Sequence, residues 1–237
     1  MELRACHYGF AEPAKRSYGR HANRELQALG TTVACAKGQE ICSPDALNAY
    51  WWQVESGAVR KVLLLPSGQR CIMEFFLPGD LFVCNASDRD DVLVEALCDG
   101  TILGRYNRDE VERLARQDGS IARMLREANL REAFHMEAHI LNLWHQRSTD
   151  KVLAFLAQIQ RRQRQTPNGF VSLPMSRNDI ADYLGLSVET VSRALTELKQ
   201  RGILEFGGTR QLKIARPSDS LLSLPLYADS NQLMTAA

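Results

Sequence analysis

Between residues 176 and 206 the chain carries a pattern that leaves few folds open: two short amphipathic helices, a tight turn between them and a strand directly after. Ser176 stands as N-cap, and Asp179 three positions on makes an acidic variant of the capping box ahead of an apolar stripe at Ile180, Ala181 and Leu184. Gly185 permits the left-handed backbone that ends such a helix. Ser187 caps a second helix, in which Val191, Ala194, Leu195 and Leu198 recur at helical spacing and must face inward. Glu189, Thr190, Ser192, Arg193 and Thr196 are left on the outer face. Gly202 stops the helix, and Ile203 to Phe206, Gly207-Gly208 and Gln211 to Ala215 read as strand, turn and strand, the wing of a winged helix-turn-helix.

An exposed helix with Glu, Ser and Arg in its first turns suits a DNA major groove. Arginine donates two hydrogen bonds to guanine O6 and N7, and glutamate accepts from cytosine N4. Glu189, Ser192 and Arg193 are therefore the expected base-reading residues, with Ser176, Arg177, Ser187, Val188, Thr190 and Thr196 as further candidates for contact with the duplex. The competing reading is a pair of surface helices in an all-α bundle, with Glu189 and Arg193 as an i,i+4 ion pair. Charge distribution separates the two. Net charge over the chain is +1, yet residues 147 to 216 hold 12 Lys and Arg against 6 Asp and Glu. Positive charge concentrates where phosphates would lie.

The upstream half is organised differently. From about residue 31 to 105, short β-like runs (Tyr50 to Val54, Val59 to Leu65, Cys71 to Phe76, Val92 to Leu97, Ile102 to Tyr106) alternate with turns, and Gly57, Gly68 and Gly79 fall eleven residues apart. Such spacing predicts a sandwich or jelly roll. A short helix over 107 to 117 leads into a long helical pattern reaching about residue 146, with more apolar surface than one packing face needs. Ala133, Met136, Ile140 and Leu143 are the expected dimerisation positions, since a single short recognition helix makes too few base contacts and two-fold symmetric proteins read palindromes. A further helix from Ser148, apolar at Val152, Phe155, Leu156 and Ile159, should floor the winged helix. It ends in the basic run from Arg161 to Gln165, expected to be a solvated face or a phosphate contact. The class is α+β: an N-terminal arm (1–24), a β-roll (25–117), a dimerisation helix (118–146), a winged helix-turn-helix (147–216) and an extension (217–237).

No apolar run reaches membrane-spanning length and no signal-peptide core is present, so a cytoplasmic protein with no membrane partner is expected. The six cysteines (Cys6, Cys35, Cys42, Cys71, Cys84, Cys98) form no C-x-x-C pair, which points to ordinary buried residues rather than a zinc site or disulfide framework. His135 and His139 lie at i,i+4 but have no third ligand nearby, so they read as polar surface or dimer-flank residues. A jelly-roll enzyme would need a His and Glu metal cluster, and no histidine occurs between Ala22 and Ala133. No catalytic residue, metal or cofactor is expected.

Roll, long helix and winged helix in this order resemble the family of the cyclic-AMP receptor protein and the fumarate-nitrate regulator (CRP/FNR), over residues from about 31 to 216. The glycine turns at Lys37-Gly38, Ser56-Gly57, Ser67-Gly68 and Pro78-Gly79-Asp80-Leu81 are similar to those of the family's roll. Val188-Glu189-Thr190-Val191-Ser192-Arg193 resembles the FNR-type E-x-x-S-R helix, and residues 173 to 185 look like the FixK-like branch. The resemblance implies a homodimeric regulator, an activator contacting RNA polymerase at a palindrome of the form TTGAT-N4-ATCAA. It implies Arg193 on guanine, Glu189 on cytosine and Ser192 near a thymine.

Departures from the family are informative too. The Glu and Arg-Ser that hold a cyclic nucleotide are missing after Gly79, and Arg89 stands among Asp88, Asp90 and Asp91. Cys6 is alone in the first 30 residues, where oxygen sensors cluster the ligands of an iron–sulfur centre. The alternative is an effector-gated regulator sensing haem, nitrogen oxides or redox state in the roll. Cys6, His7 or His21 would then be the candidate haem ligands.

Overall fold

The computed structural model describes residues 20–41, 49–84, 91–145, 147–163, 166–208 and 210–215. Seven strands, β1 (Gly30–Cys35), β2 (Tyr50–Ser56), β3 (Val59–Leu64), β4 (Arg70–Phe76), β5 (Leu81–Val83), β6 (Val92–Ala96) and β7 (Thr101–Asn107), form two antiparallel sheets ordered β1-β7-β2-β5 and β4-β3-β6. Their inner faces meet in one cluster, where Trp52, Val54, Phe82 and Leu103 of the first sheet pack on Val59, Phe76, Val94 and Ala96 of the second. Phe76 and Phe82 stack across it with ring centroids 4.2 Å apart. Burying each such side chain contributes roughly 1.5–3 kcal/mol, which is why the period-two pattern was readable. The turns fall where the glycines predict. Gly57 takes φ +82°, and a Cβ there would lie 2.5 Å from Thr101 Oγ1, so conformation and close approach both exclude a side chain.

Helix α1 (Arg20–Ala28) was not anticipated; a boundary between residues 24 and 25 falls inside it. It buries only Ala22 and Leu26, against Trp51, Tyr106, Ile121 and Met124, and two apolar residues in a polar segment make too thin a stripe to read. Helix α2 (Arg108–Gln117) is capped by Asn107, whose side chain accepts from Glu110 N. Asp118 then starts α3 (Gly119–Leu143), accepting from Ser120 N. One face of α3 is buried through Ile121, Met124, Ala128 and Ala138. The opposite face leaves Leu130, Met136 and Ile140 at 58, 46 and 54% exposure, with Ala133 and Leu143 also exposed.

The carboxy-terminal unit comprises α4 (Ser148–Arg162), β8 (Val171–Ser172), α5 (Arg177–Leu184), α6 (Val188–Gln200), β9 (Leu204–Phe206) and β10 (Gln211–Ile214), with a wing sheet ordered β8-β10-β9. It does not sit apart from the roll. Ile72, Phe75 and Leu77 of the roll share one apolar cluster with Phe155 and Leu156 of α4, Tyr183 and Leu184 of α5, and Val191 and Leu195 of α6. The Phe75, Phe155 and Tyr183 rings lie 5.2 to 5.9 Å apart. Among the described residues no helix is long and apolar enough to cross a membrane. The N-terminal residues Cys6 and His7, the segment with Cys42, Asp88 to Asp90, Arg164 and Gln165, and the extension from Pro217 lie outside the described residues.

Candidate nucleic-acid interface

Helices α5 and α6 are held by their own caps and by a buried inner face. Ser176 Oγ accepts from Asp179 N at 3.2 Å, while Asp179 Oδ2 accepts from Ser176 N at 2.7 Å and from its hydroxyl at 2.6 Å, closing the capping box. Gly185 ends α5 in the left-handed region at φ +63°. Ser187 Oγ accepts from Thr190 N at 3.2 Å and starts α6. Val191, Ala194, Leu195 and Leu198 are buried, as their spacing requires.

The outer face of the two helices gathers the polar residues singled out from sequence. Ser176, Arg177, Ser187, Glu189, Arg193 and Thr196 are exposed, and Val188, Thr190 and Ser192 are half-buried. Arg177 Nη1 donates to Ser192 Oγ at 3.2 Å across the turn, and Thr196 Oγ1 donates to the Ser192 carbonyl at 2.9 Å. The i,i+4 ion pairs of the described residues include Arg201 with Glu197, but Glu189 and Arg193 form none. Their charged ends face solvent, with hydrogen-bonding capacity unspent. The wing adds Lys213, 3.8 Å from Glu205 and stacked over Phe170 at 5.9 Å, and the exposed Arg210.

Behind this face lies a set of buried charges that the sequence reading missed. Arg162, at the end of α4, is neither solvated nor a phosphate contact, which corrects the expectation for that one residue of the basic run. Its guanidinium donates to Glu74 Oε1 at 3.0 Å, to Asp80 Oδ2 at 3.0 Å and to the Phe75 carbonyl. Burial is the largest influence on the Glu74 carboxyl and would raise it, but the Arg162 charge and His135 together outweigh it and hold the group below its ordinary range. Burial likewise opposes the Arg162 charge, and Asp80 and Glu74 overcome it. His135 is buried with Nδ1 3.6 Å from Glu74 Oε1, and His139 stacks on Tyr183 at 3.8 Å between centroids. His135 is therefore buried toward the roll rather than on the surface, and His139 is half-buried against α5. The available signal was a single Glu in the apolar run from Cys71 to Phe76, a charge that such a strand hides only with a partner.

A crevice between roll and α3 is lined by Phe76, Asp80, Leu81, Ala128, Arg131, Glu132 and His135 and has room for about one water-sized group. Among the described residues no three His, Cys, Asp or Glu side chains gather to hold a metal. Cys35, Cys71 and Cys98 are free thiols pushed up by burial. Cys84 departs from the expected set of ordinary buried thiols: it is buried and disulfide-bonded.

Folded roll, long helix and winged helix define a CRP-like regulator, and comparison with known proteins agrees. A family profile described as a Crp-like helix-turn-helix domain matches residues 150–219. The nitrogen fixation regulation protein FixK of Rhizobium meliloti (strain 1021) is 37% identical over 79% of this chain and 83% of its own length. The protein of the same name from Bradyrhizobium diazoefficiens is 34% identical over 81% and 83%. The solved structure of FixK2 from Bradyrhizobium japonicum superposes with a TM-score of 0.70 at 39% identity, covering 79% of this chain and 93% of that one. This chain belongs to the CRP/FNR family of DNA-binding transcription regulators, in its FixK-like branch.

Proposed function

We propose that the protein acts as a homodimer, binding a palindrome of the form TTGAT-N4-ATCAA through Glu189, Ser192 and Arg193, and activates transcription there by contacting RNA polymerase. It does so without a cyclic nucleotide or an iron–sulfur cluster. The carrying observation is the pair Glu189 and Arg193, exposed and unpaired on the outer face of α6 in an FNR-type sequence context. Ser176, Arg177, Ser187, Val188, Thr190 and Thr196 flank them and supply backbone contacts, which position the helix while base contacts specify. Dimerisation uses the exposed apolar face of α3 at Ala133, Met136, Ile140 and Leu143; Leu130, exposed on the same helix, and Trp144, exposed at its C-cap, extend it. In functional terms the chain divides into arm (1–24), roll (25–117), dimerisation helix (118–146), winged helix (147–216) and extension. Its relatives are regulators by name, and no enzymatic role is assigned.

Purified protein without added ligand should shift the TTGAT palindrome in a gel, with affinity falling as salt rises because phosphate contacts release counterions. Arg193→Ala should cost roughly 1–3 kcal/mol in each half-site, the worth of a bidentate arginine–guanine pair. Unchanged binding by that variant would remove α6 as the reading element. A binding requirement for a small molecule would instead favour the effector-gated reading.

A further inference from the structure

We propose that Arg60 and Arg162 determine the spacing between operator half-sites, by fixing the angle at which the roll and α3 present the reading helix. The inference rests on the palindrome reading above and concerns residues that touch no DNA. Arg60, on β3 of the roll, donates through Nη1 to Asp179 Oδ1, and its Nε and Nη2 lie 2.8 and 2.6 Å from Glu95 Oε2. The other oxygen of Asp179 closes the capping box of α5. One carboxylate therefore joins the roll to the first turn of the helix-turn-helix. Arg162 makes a second tie, from α4 to Glu74 and Asp80. The His139 and Tyr183 stack makes a third, from the dimerisation helix α3 to α5. Since α5 and α6 share one apolar cluster, α6 follows α5.

Buried ion pairs add little net stability over apolar packing, but their hydrogen bonds are directional and admit one arrangement. Adding one base pair between half-sites moves the second by about 3.4 Å and rotates it by about 34°. A reading head tied at all three points cannot follow that movement, whereas one that has lost the tie at the first turn of α5 can roll about the other two.

The test is competition binding of the full chain to duplexes with spacers of three, four and five base pairs, beside an isolated half-site. The native protein should prefer the four-base-pair spacer by about tenfold or more, the effect of one bidentate pair failing to form in a misplaced half-site. Arg60→Met should reduce that preference to about twofold while leaving half-site affinity and cooperative melting as in the native protein. Arg60→Lys, which keeps a cation but cannot bridge both carboxylates, should fall between and covers the case in which the methionine variant fails to fold. A folded Arg60 variant with the native spacing preference overturns the proposal. A native protein that binds none of the duplexes overturns the operator reading itself, and the spacing proposal falls with it.

Discussion

Two places in this molecule set glutamate beside arginine and use them in opposite ways. On α6, Glu189 and Arg193 are one turn apart, exposed and unpaired. At the junction, Glu74 and Arg162 are 88 residues apart in sequence, both buried, and 3.0 Å from each other. The first pair remains hydrated, ready to exchange water for a partner's donors and acceptors. The second has already made that exchange within the chain, so it contributes geometry rather than recognition. Residue type alone does not separate a reading surface from a structural joint; the neighbours do.

The comparison predicts unequal mutational costs. Arg162→Met leaves Glu74 and Asp80 buried without their cation, and urea unfolding should report a loss of about 3–5 kcal/mol. Adding Glu74→Gln and Asp80→Asn should recover most of it; a lasting deficit would mean the charges themselves stabilise the fold. On α6, the proposed reading has Arg193→Ala cost about 1–3 kcal/mol per half-site in operator binding. The same variant should change unfolding free energy by no more than about 0.5 kcal/mol; a large loss there would break the contrast. Ser176→Ala opens the capping box and should cost about 1 kcal/mol of stability, read from the same urea curves.

The smallest effect is in pH. Burial holds His139 below its ordinary value of 6.5, with the Glu74 charge partly opposing. The unfolded chain then takes up this proton first on acidification, so stability falls as pH drops below about 6.5 and levels off below the folded value. His139→Phe should flatten that part of the stability profile. A profile identical to that of the native protein would show that His139 does not titrate with folding.

How legible each region was follows from the range of the interactions that build it. Capping residues, turn glycines and the apolar spacing of α5 and α6 act within about four positions, so both helices and the outward face of Glu189 and Arg193 were readable. The strands of the roll were readable for the same reason. Helix α1 was not, because only Ala22 and Leu26 mark its buried face. His135 and Arg162 were misjudged, and the Tyr183 stack of His139 was missed, because the partners Glu74, Asp80 and Tyr183 come from distant parts of the chain, and local spacing says nothing about which group meets which.

By itself, the sequence determined the order of roll, long helix and winged helix, and which side of α6 faces outward, since backbone propensity and apolar periodicity are local. Only the tertiary structure decided that the roll and the winged helix share a core and are joined by buried charges. That outcome depends on desolvation and pairing between residues far apart in the chain, and a carboxylate such as Glu74 becomes a joint only when folding brings Arg162 to it.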